Sequence, residues 1–293
     1  MSATASETVT LSIDGREVVV PKGTPLVVAA ARAGIEIPVF CYEPRLGPAV
    51  GACRMCLVEV EGMPKLQAAC TMVATDGMQV RSRSAKAADG QNAVLEFLLV
   101  NHPLDCPICD KGGECPLQDL TYRYGPGNTR FPLPKRTYEK PIAISPLIAL
   151  DRERCILCYR CTRFSQDVAE DEQLIARERG SSSVIATFEE QPYVGAFSGN
   201  VIELCPVGAL TSTQYRFAAR PWEINNIPTV CGLCPTGCNT WVTVREGDVQ
   251  RVLSRNHPDV DEGWLCDKGR FATQHLRAPD RYRTPLIRGP RGL

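Results

Sequence analysis

The sequence predicts an α+β chain of several small units. Three observations predict it: a strand-period apolar pattern near the start, a switch to helical period near residue 84, and fifteen cysteines gathered in four groups. In the first unit Val9, Leu11 and Ile13 alternate with polar residues, and Asp14-Gly15 is a two-residue hairpin signal ahead of residues 17–20. Thr24 reads as the cap of a short helix over 25–33, with Gly34 as its stop. Residues 57–60 and 65–69 form a second hairpin across Glu61-Gly62, and 78–81 a last strand. A hairpin, a helix and further strands make a β-grasp layout.

From Ser84, a good N-cap, the pattern turns helical, and Val94, Leu95, Leu98 and Leu99 share a face. The helix must end near Asn101, because Pro103 disfavours helical backbone at His102. Residues 103–118 read as a turn-rich cysteine-bearing loop, and 124–146, rich in Gly, Pro and basic residues, as a surface linker.

Composition excludes several classes. The chain has 293 residues, with 33 Lys and Arg against 33 Asp and Glu, so it lacks the basic excess of a nucleic-acid binder. At 44% hydrophobic it can bury a core, but no apolar run approaches the roughly 20 residues of a membrane helix. The first residues have neither a basic start nor an apolar centre, so the sequence shows no secretion signal, and direct membrane insertion is not expected. In a cytoplasmic chain cysteines are seldom disulfides, and an odd number cannot pair completely. Metal binding is the leading explanation.

Cys41, Cys53, Cys56 and Cys70 are spaced C-x11-C-x2-C-x13-C. Plant-type ferredoxins use C-x4-C-x2-C and a distant fourth cysteine; here the pair is kept and the first gap is longer. Gly47 and Gly51 in that loop let backbone N–H groups approach cluster sulfurs, which stabilises added electron density. A four-cysteine zinc site competes on spacing; the β-grasp pattern favours 2Fe–2S.

His102, Cys106, Cys109 and Cys115 are spaced H-x3-C-x2-C-x5-C. A four-iron cube has four corners and only three cysteines are present, so the imidazole of His102 is the expected fourth ligand. A zinc site of three cysteines and one histidine competes. Cys155, Cys158 and Cys161 begin a bacterial ferredoxin run, but Ser165 stands where its fourth cysteine belongs. Cys205-Pro206 arrives much later and can complete a single 4Fe–4S site. Cys231, Cys234, Cys238 and Cys266 form a last four-thiolate set, for which zinc also remains open. Fifteen cysteines and His102 make sixteen ligands, four sites of four with none left over. Clusters at these sites would bring a net charge of about −7, and Arg54, Lys111, Arg152, Arg154, Arg160, Arg163 and Lys268 stand close enough in sequence to offset it.

No G-x-G-x-x-G follows a strand, and no Walker, G-x-S-x-G or H-E-x-x-H motif occurs. The chemistry this sequence can support is single-electron movement, with no substrate site and no catalytic residue of its own.

The order of the groups, with NHPLDCPICDKGGECPLQDL, LDRERCILCYRCTRFSQ and GNVIELCPVGAL, closely resembles the large iron–sulfur subunit family of bacterial NADH–quinone oxidoreductase, respiratory complex I. The resemblance covers nearly all of 7–293. It implies a 2Fe–2S centre on Cys41, Cys53, Cys56 and Cys70, a His-ligated 4Fe–4S on His102, Cys106, Cys109 and Cys115, and another on Cys155, Cys158, Cys161 and Cys205. Cys266-Asp267-Lys268-Gly269 matches the C-x-K-G signature of molybdopterin oxidoreductases, which implies a third 4Fe–4S centre on the last set, off the main electron route. The cofactors expected are therefore one 2Fe–2S and three 4Fe–4S clusters.

The implied architecture is an N-terminal 2Fe–2S ferredoxin-like domain over 1–83, a His-ligated 4Fe–4S domain over 84–123, a linker and second 4Fe–4S domain over 124–220, a molybdopterin-type 4Fe–4S domain over 221–277 and a tail over 278–293. The family implies an electron-relay subunit of an NADH:quinone oxidoreductase, on the cytoplasmic face of the membrane. Its implied partners are the flavin and NADH-binding subunit and the quinone-side iron–sulfur subunits. Family members continue well beyond the fourth group, whereas this sequence ends at Leu293. The nearest alternative is the diaphorase-side subunit of an NAD-linked hydrogenase or formate dehydrogenase; a zinc-stabilised scaffold is the other.

A neutral nitrogen in place of a thiolate leaves a site less negative, which raises its potential. His102→Cys should keep a cluster and lower its midpoint; a redox titration giving an unchanged or higher midpoint would contradict this.

Overall fold

The protein is described from a computed structural model covering residues 7–282, 284–287 and 289. The first six residues, part of the segment read as lacking a secretion signal, and residues 283, 288 and 290–293 of the tail lie outside the described residues.

Strands β1 (Thr8–Ile13) and β2 (Arg16–Pro21) pair antiparallel around Asp14 and Gly15, with φ of 49° and 79°. Both central residues of such a turn must be left-handed for its twist to match the strands, which is why Asp-Gly serves here. Helix α1 (Leu26–Arg32) follows, then β3 (Leu57–Val60), β4 (Gln67–Ala68) and β5 (Gln79–Arg81). The sheet order is β2-β1-β5-β3-β4, with β5 parallel to β1 and antiparallel to β3. This is the expected β-grasp. One detail differs. Pro25, not Thr24, is the N-cap of α1, and it offers no side-chain acceptor; the Thr24 hydroxyl instead donates to the Pro21 carbonyl at 2.7 Å. The apolar face of α1 buries Leu26, Ala29 and Ala30 against Leu11, Ile13, Val20, Val58 and Val80, and Cys56 and Cys70 lie in the same core. Each large side chain buried there contributes about 1.5–3 kcal/mol.

Helix α2 (Ala85–Leu99) starts where expected: Ser84 Oγ accepts from Ala87 N at 3.2 Å. The stretch 103–118, read as a loop throughout, already contains the start of α3 (Pro116–Tyr124). Proline at its first position and Leu117 and Leu120 on its buried face form the helix, whose period is too short to stand out beside the cysteines.

The linker also ends earlier than the expected residue 146, because β6 (Ile142–Ala143) pairs with β7 (Ile148–Leu150). Next come α4 (Arg160–Arg163), the hairpin β8 (Leu174–Arg177) and β9 (Val184–Thr187), α5 (Asn200–Leu204) and β10 (Leu210–Ser212), which pairs with β7. A second core gathers Phe40, Leu95, Ile148, Leu150, Phe164 and Leu204 around Cys115, Cys158, Cys161 and Cys205. Last, β11 (Asn225–Val230), β12 (Asn239–Arg245) and β13 (Asp248–Ser254) form an antiparallel sheet beside α6 (Asp267–Phe271). Among the described residues no helix is long and apolar enough to cross a membrane.

Ion pairs fasten the last sheet to the rest. Arg251 on β13 holds both oxygens of Glu114, in the loop before α3, at 2.8 and 2.7 Å. Arg45 donates to the Gly263 carbonyl at 3.0 Å and lies 4.8 Å over the Trp264 ring. Burial alone would push the Glu114 carboxyl upward, but hydrogen bonding and the charge of Arg251 offset it and hold the group below its ordinary value. A depressed folded pKa gives stability that is present above the unfolded value near 4.5 and is lost as pH falls through the folded value. Glu114→Gln should therefore cost about 1–2 kcal/mol at pH 7. Urea unfolding at pH 7 and pH 3 checks it: the deficit should shrink at pH 3.

Candidate metal centres

All fifteen cysteines are free thiols, and most are buried. Among the described residues no three His, Cys, Asp or Glu side chains close around a single ion; a cluster of two or four irons holds its ligands farther apart than one tetrahedral ion does.

The first set lies under the β-grasp sheet. Cys41, Cys53, Cys56 and Cys70 are each at most 8% exposed, and Cys41 N donates toward Cys53 Sγ at 3.4 Å. Gly47, Gly51 and Arg54 all have positive φ, at 74°, 63° and 59°. These left-handed steps curl the long first gap and bring Cys41 and Cys53 into contact. Cys53 is pushed far above its ordinary range because its thiol donates to the Cys41 side chain, with burial and the Cys41 charge adding to the effect.

The second set lines one cavity of about 300 Å³: His102, Cys106, Cys109 and Cys115, with Arg154 and Gly208. Burial, helped by the charges of Arg154 and Lys135, lowers His102 to about 4, so its imidazole is neutral at pH 7. Its buried Nδ1 has no hydrogen-bond partner. A neutral, unpaired imidazole nitrogen in a cysteine-lined cavity fits a metal ligand.

The third set, Cys155, Cys158, Cys161 and Cys205, lines a second, enclosed pocket. Leu157 and Tyr159 have φ of 51° and 61°, so the run between the cysteines alternates hand. Such alternation turns backbone N–H groups inward into an anion-binding concavity, and Leu157 N donates toward Cys155 Sγ at 3.4 Å. Burial and the Cys205 charge push Cys158 up to about 12, and burial drives Cys155 and Cys161 well above their ordinary value. Ser165, in the position a ferredoxin gives to cysteine, accepts from Leu174 N at 3.1 Å and donates to Asp171. It is spent on the local turn.

In the last set Cys231, Cys234 and Cys238 occupy the β11–β12 connection, closed by Cys231 N donating to Cys238 O at 2.8 Å. Cys266 caps α6, its Sγ accepting from Gly269 N at 3.4 Å. A Cβ on Gly269 would stand 3.5 Å from Cys231 Sγ, so the first turn of α6, which Cys266 caps, packs beside Cys231. Members of each expected set thus touch one another or line one pocket.

Sequence reasoning missed Gly208 and Arg220. A Cβ at Gly208 would fall inside the radius of Cys109 Sγ, so only glycine lets the Cys205 segment pass the second set. The signal was in the Pro-Val-Gly that follows Cys205. Arg220 donates to the carbonyls of Pro107 and of Cys109, the latter at 2.6 Å, and nothing in the sequence announces it.

Four family models match the chain in order. Residues 6–85 match the 2Fe-2S iron-sulfur cluster binding domain, 91–130 the NADH-ubiquinone oxidoreductase-G iron-sulfur binding region, 145–211 the ferredoxin-like domain of NADH-quinone oxidoreductase subunit 3, and 224–278 the molybdopterin oxidoreductase Fe4S4 domain. The NADH-quinone oxidoreductase G subunit of Streptomyces coelicolor is 53% identical over 286 residues, 97% of this chain and 34% of that protein. Its Mycobacterium tuberculosis counterpart is 52% identical over 284 residues, 96% of this chain and 35% of its own length. The chain belongs to the G-subunit family of NADH-quinone oxidoreductases. It spans about a third of the length of the curated relatives it matches. A crystal structure of an NAD+-reducing [NiFe]-hydrogenase in the H2-reduced state matches with a TM-score of 0.64 and 32% identity, over 72% of this chain and 90% of that one. The family thus equips the chain with domains of both the 2Fe–2S and the 4Fe–4S kind.

Gly208→Ala should displace Cys109 and abolish or distort the second set's low-temperature EPR signal while the first set's signal persists. An unchanged spectrum would contradict the close approach.

Proposed function

We propose that this chain is the iron–sulfur electron relay of an NADH-quinone oxidoreductase, with one 2Fe–2S cluster on the first cysteine set and a 4Fe–4S cluster on each of the other three. Iron–sulfur clusters supply one-electron carriers when bound. The protein's part is to hold them close, keep water away and compensate their charge. The observation that carries the reading is the spatial order of the sets. Arg160, between Cys158 and Cys161 of the third, donates to the carbonyl of Tyr42, next to Cys41 of the first, at 2.7 Å. The carbonyl of Pro206, next to Cys205, lies 3.8 Å from Cys115 Sγ of the second. Contacts of the third set with both the first and the second support a relay in which the third is the middle station.

In this reading the 16 ligands define units at 1–83, 84–123, 124–220 and 221–277, with the tail at 278–293. Electrons that originate from NADH on a flavin-bearing partner enter the relay and leave toward quinone-side iron–sulfur partners, on the cytoplasmic face of the membrane. The fourth set lies off that route. The likeness to the NAD+-reducing hydrogenase favours one second reading, in which the same relay serves a hydrogenase partner.

Anaerobic purification with metal analysis and EPR tests the proposal. About 14 irons per chain are expected, from one binuclear and three cubane centres, together with co-purifying membrane subunits and quinone reduction. A nickel protein in their place selects the second reading. About four zincs and no visible absorption would refute both.

A further inference from the structure

Arg160 sits between Cys158 and Cys161 of the third set, but its side chain reaches away from its own loop. One guanidinium nitrogen donates to the Tyr42 carbonyl at 2.7 Å, and Tyr42 follows Cys41 of the first set. The other donates to the Leu204 carbonyl at 3.4 Å, and Leu204 precedes Cys205 of the third. A single planar group thus ties the backbone beside one ligand of the first set to the backbone beside one ligand of the third.

The charge of this group is poorly matched by protein. Its side chain is 14% exposed, its buried Nε has no partner, and Glu43, at 3.9 Å, is its one ion pair among the described residues. Glu43 is itself committed more closely to Arg45, at 2.8 Å. Neighbouring Arg163 differs: it holds the carbonyls of Leu46 and Pro48 and pairs with Asp167 at 3.6 Å. A nearly buried guanidinium with one loose counter-ion costs free energy unless negative charge stands nearby. Two thiolate-ligated sites flank this one.

We infer that Arg160 is a shared positioning residue for the first and third centres, fixing their separation through the Tyr42 and Leu204 carbonyls and placing one positive charge where added electron density in either centre is stabilised. The inference rests on the electron-relay reading, and it makes a demand that a merely structural arginine would not: one substitution must move two midpoints in the same direction.

The test is an EPR-monitored redox titration of the 293-residue chain, anaerobically loaded, as parent and as Arg160→Gln. The glutamine keeps a hydrogen-bond donor and removes the charge. At fixed potential the reduced-to-oxidised ratio should fall at least threefold for both the binuclear signal and the third set's cubane, with the fourth set's signal unmoved. A shift in only one of the two, or an equal shift in every centre, overturns the inference. Should Arg160→Gln lose its clusters, Glu43→Gln carries the test with opposite sign: removing the loose counter-charge must raise the ratio in both centres, and no rise overturns it. A parent chain that binds no iron refutes the relay reading itself, whereas a loaded parent whose variants do not shift refutes this inference alone.

Discussion

Burying four sulfurs side by side is the constraint from which most of this architecture follows. A thiolate withdrawn from water loses its hydration, and each neighbouring thiolate adds like-charge repulsion. The third set shows both effects, with burial first among the causes that drive Cys155, Cys158 and Cys161 upward and other cysteines of the set behind it. Such a site is stable as a group of neutral thiols, or as thiolates around a cation that enters as the protons leave. The fold is arranged for the second case: backbone N–H groups turned inward, a neutral imidazole where a fourth thiolate would add charge, and arginines reaching in from adjoining segments.

The same constraint explains why so little of the chain is regular. In this protein the closely spaced cysteines sit on irregular backbone that changes hand between them. Leu157 and Tyr159 in the third set, and Arg54 in the first, accept left-handed backbone to make that change. The cost is offset by the long-range contacts that pin each loop, such as those of Arg160, Arg163 and Arg220 to main-chain carbonyls.

The β-grasp was legible because strand alternation and the Asp14-Gly15 turn are local signals, and so was α2, whose Ser84 cap and Pro103 breaker bracket it. The candidate ligand sets, His102 included, were read from spacing and from the count of cysteines, and the structure places His102, Cys106, Cys109 and Cys115 around one cavity. What escaped was decided by distant contacts. Thr24 turned back to a strand end because Pro25 already supplied the backbone that a cap requires. Helix α3 and strand β6 are short and borrow their stability from the second core. Gly208 and Arg220 answer to a site more than ninety residues earlier in the chain, so no window of sequence contains both halves of the contact.

The clasp of Arg45 on Gly263 and Trp264 joins the loop just after Cys41 to the loop just before Cys266, two segments from opposite ends of the described chain. Topologically it closes the necklace of small units into a ring. Loosening the last bead would slacken the clasp at the first, so the two outermost cysteine sets share one mechanical tie.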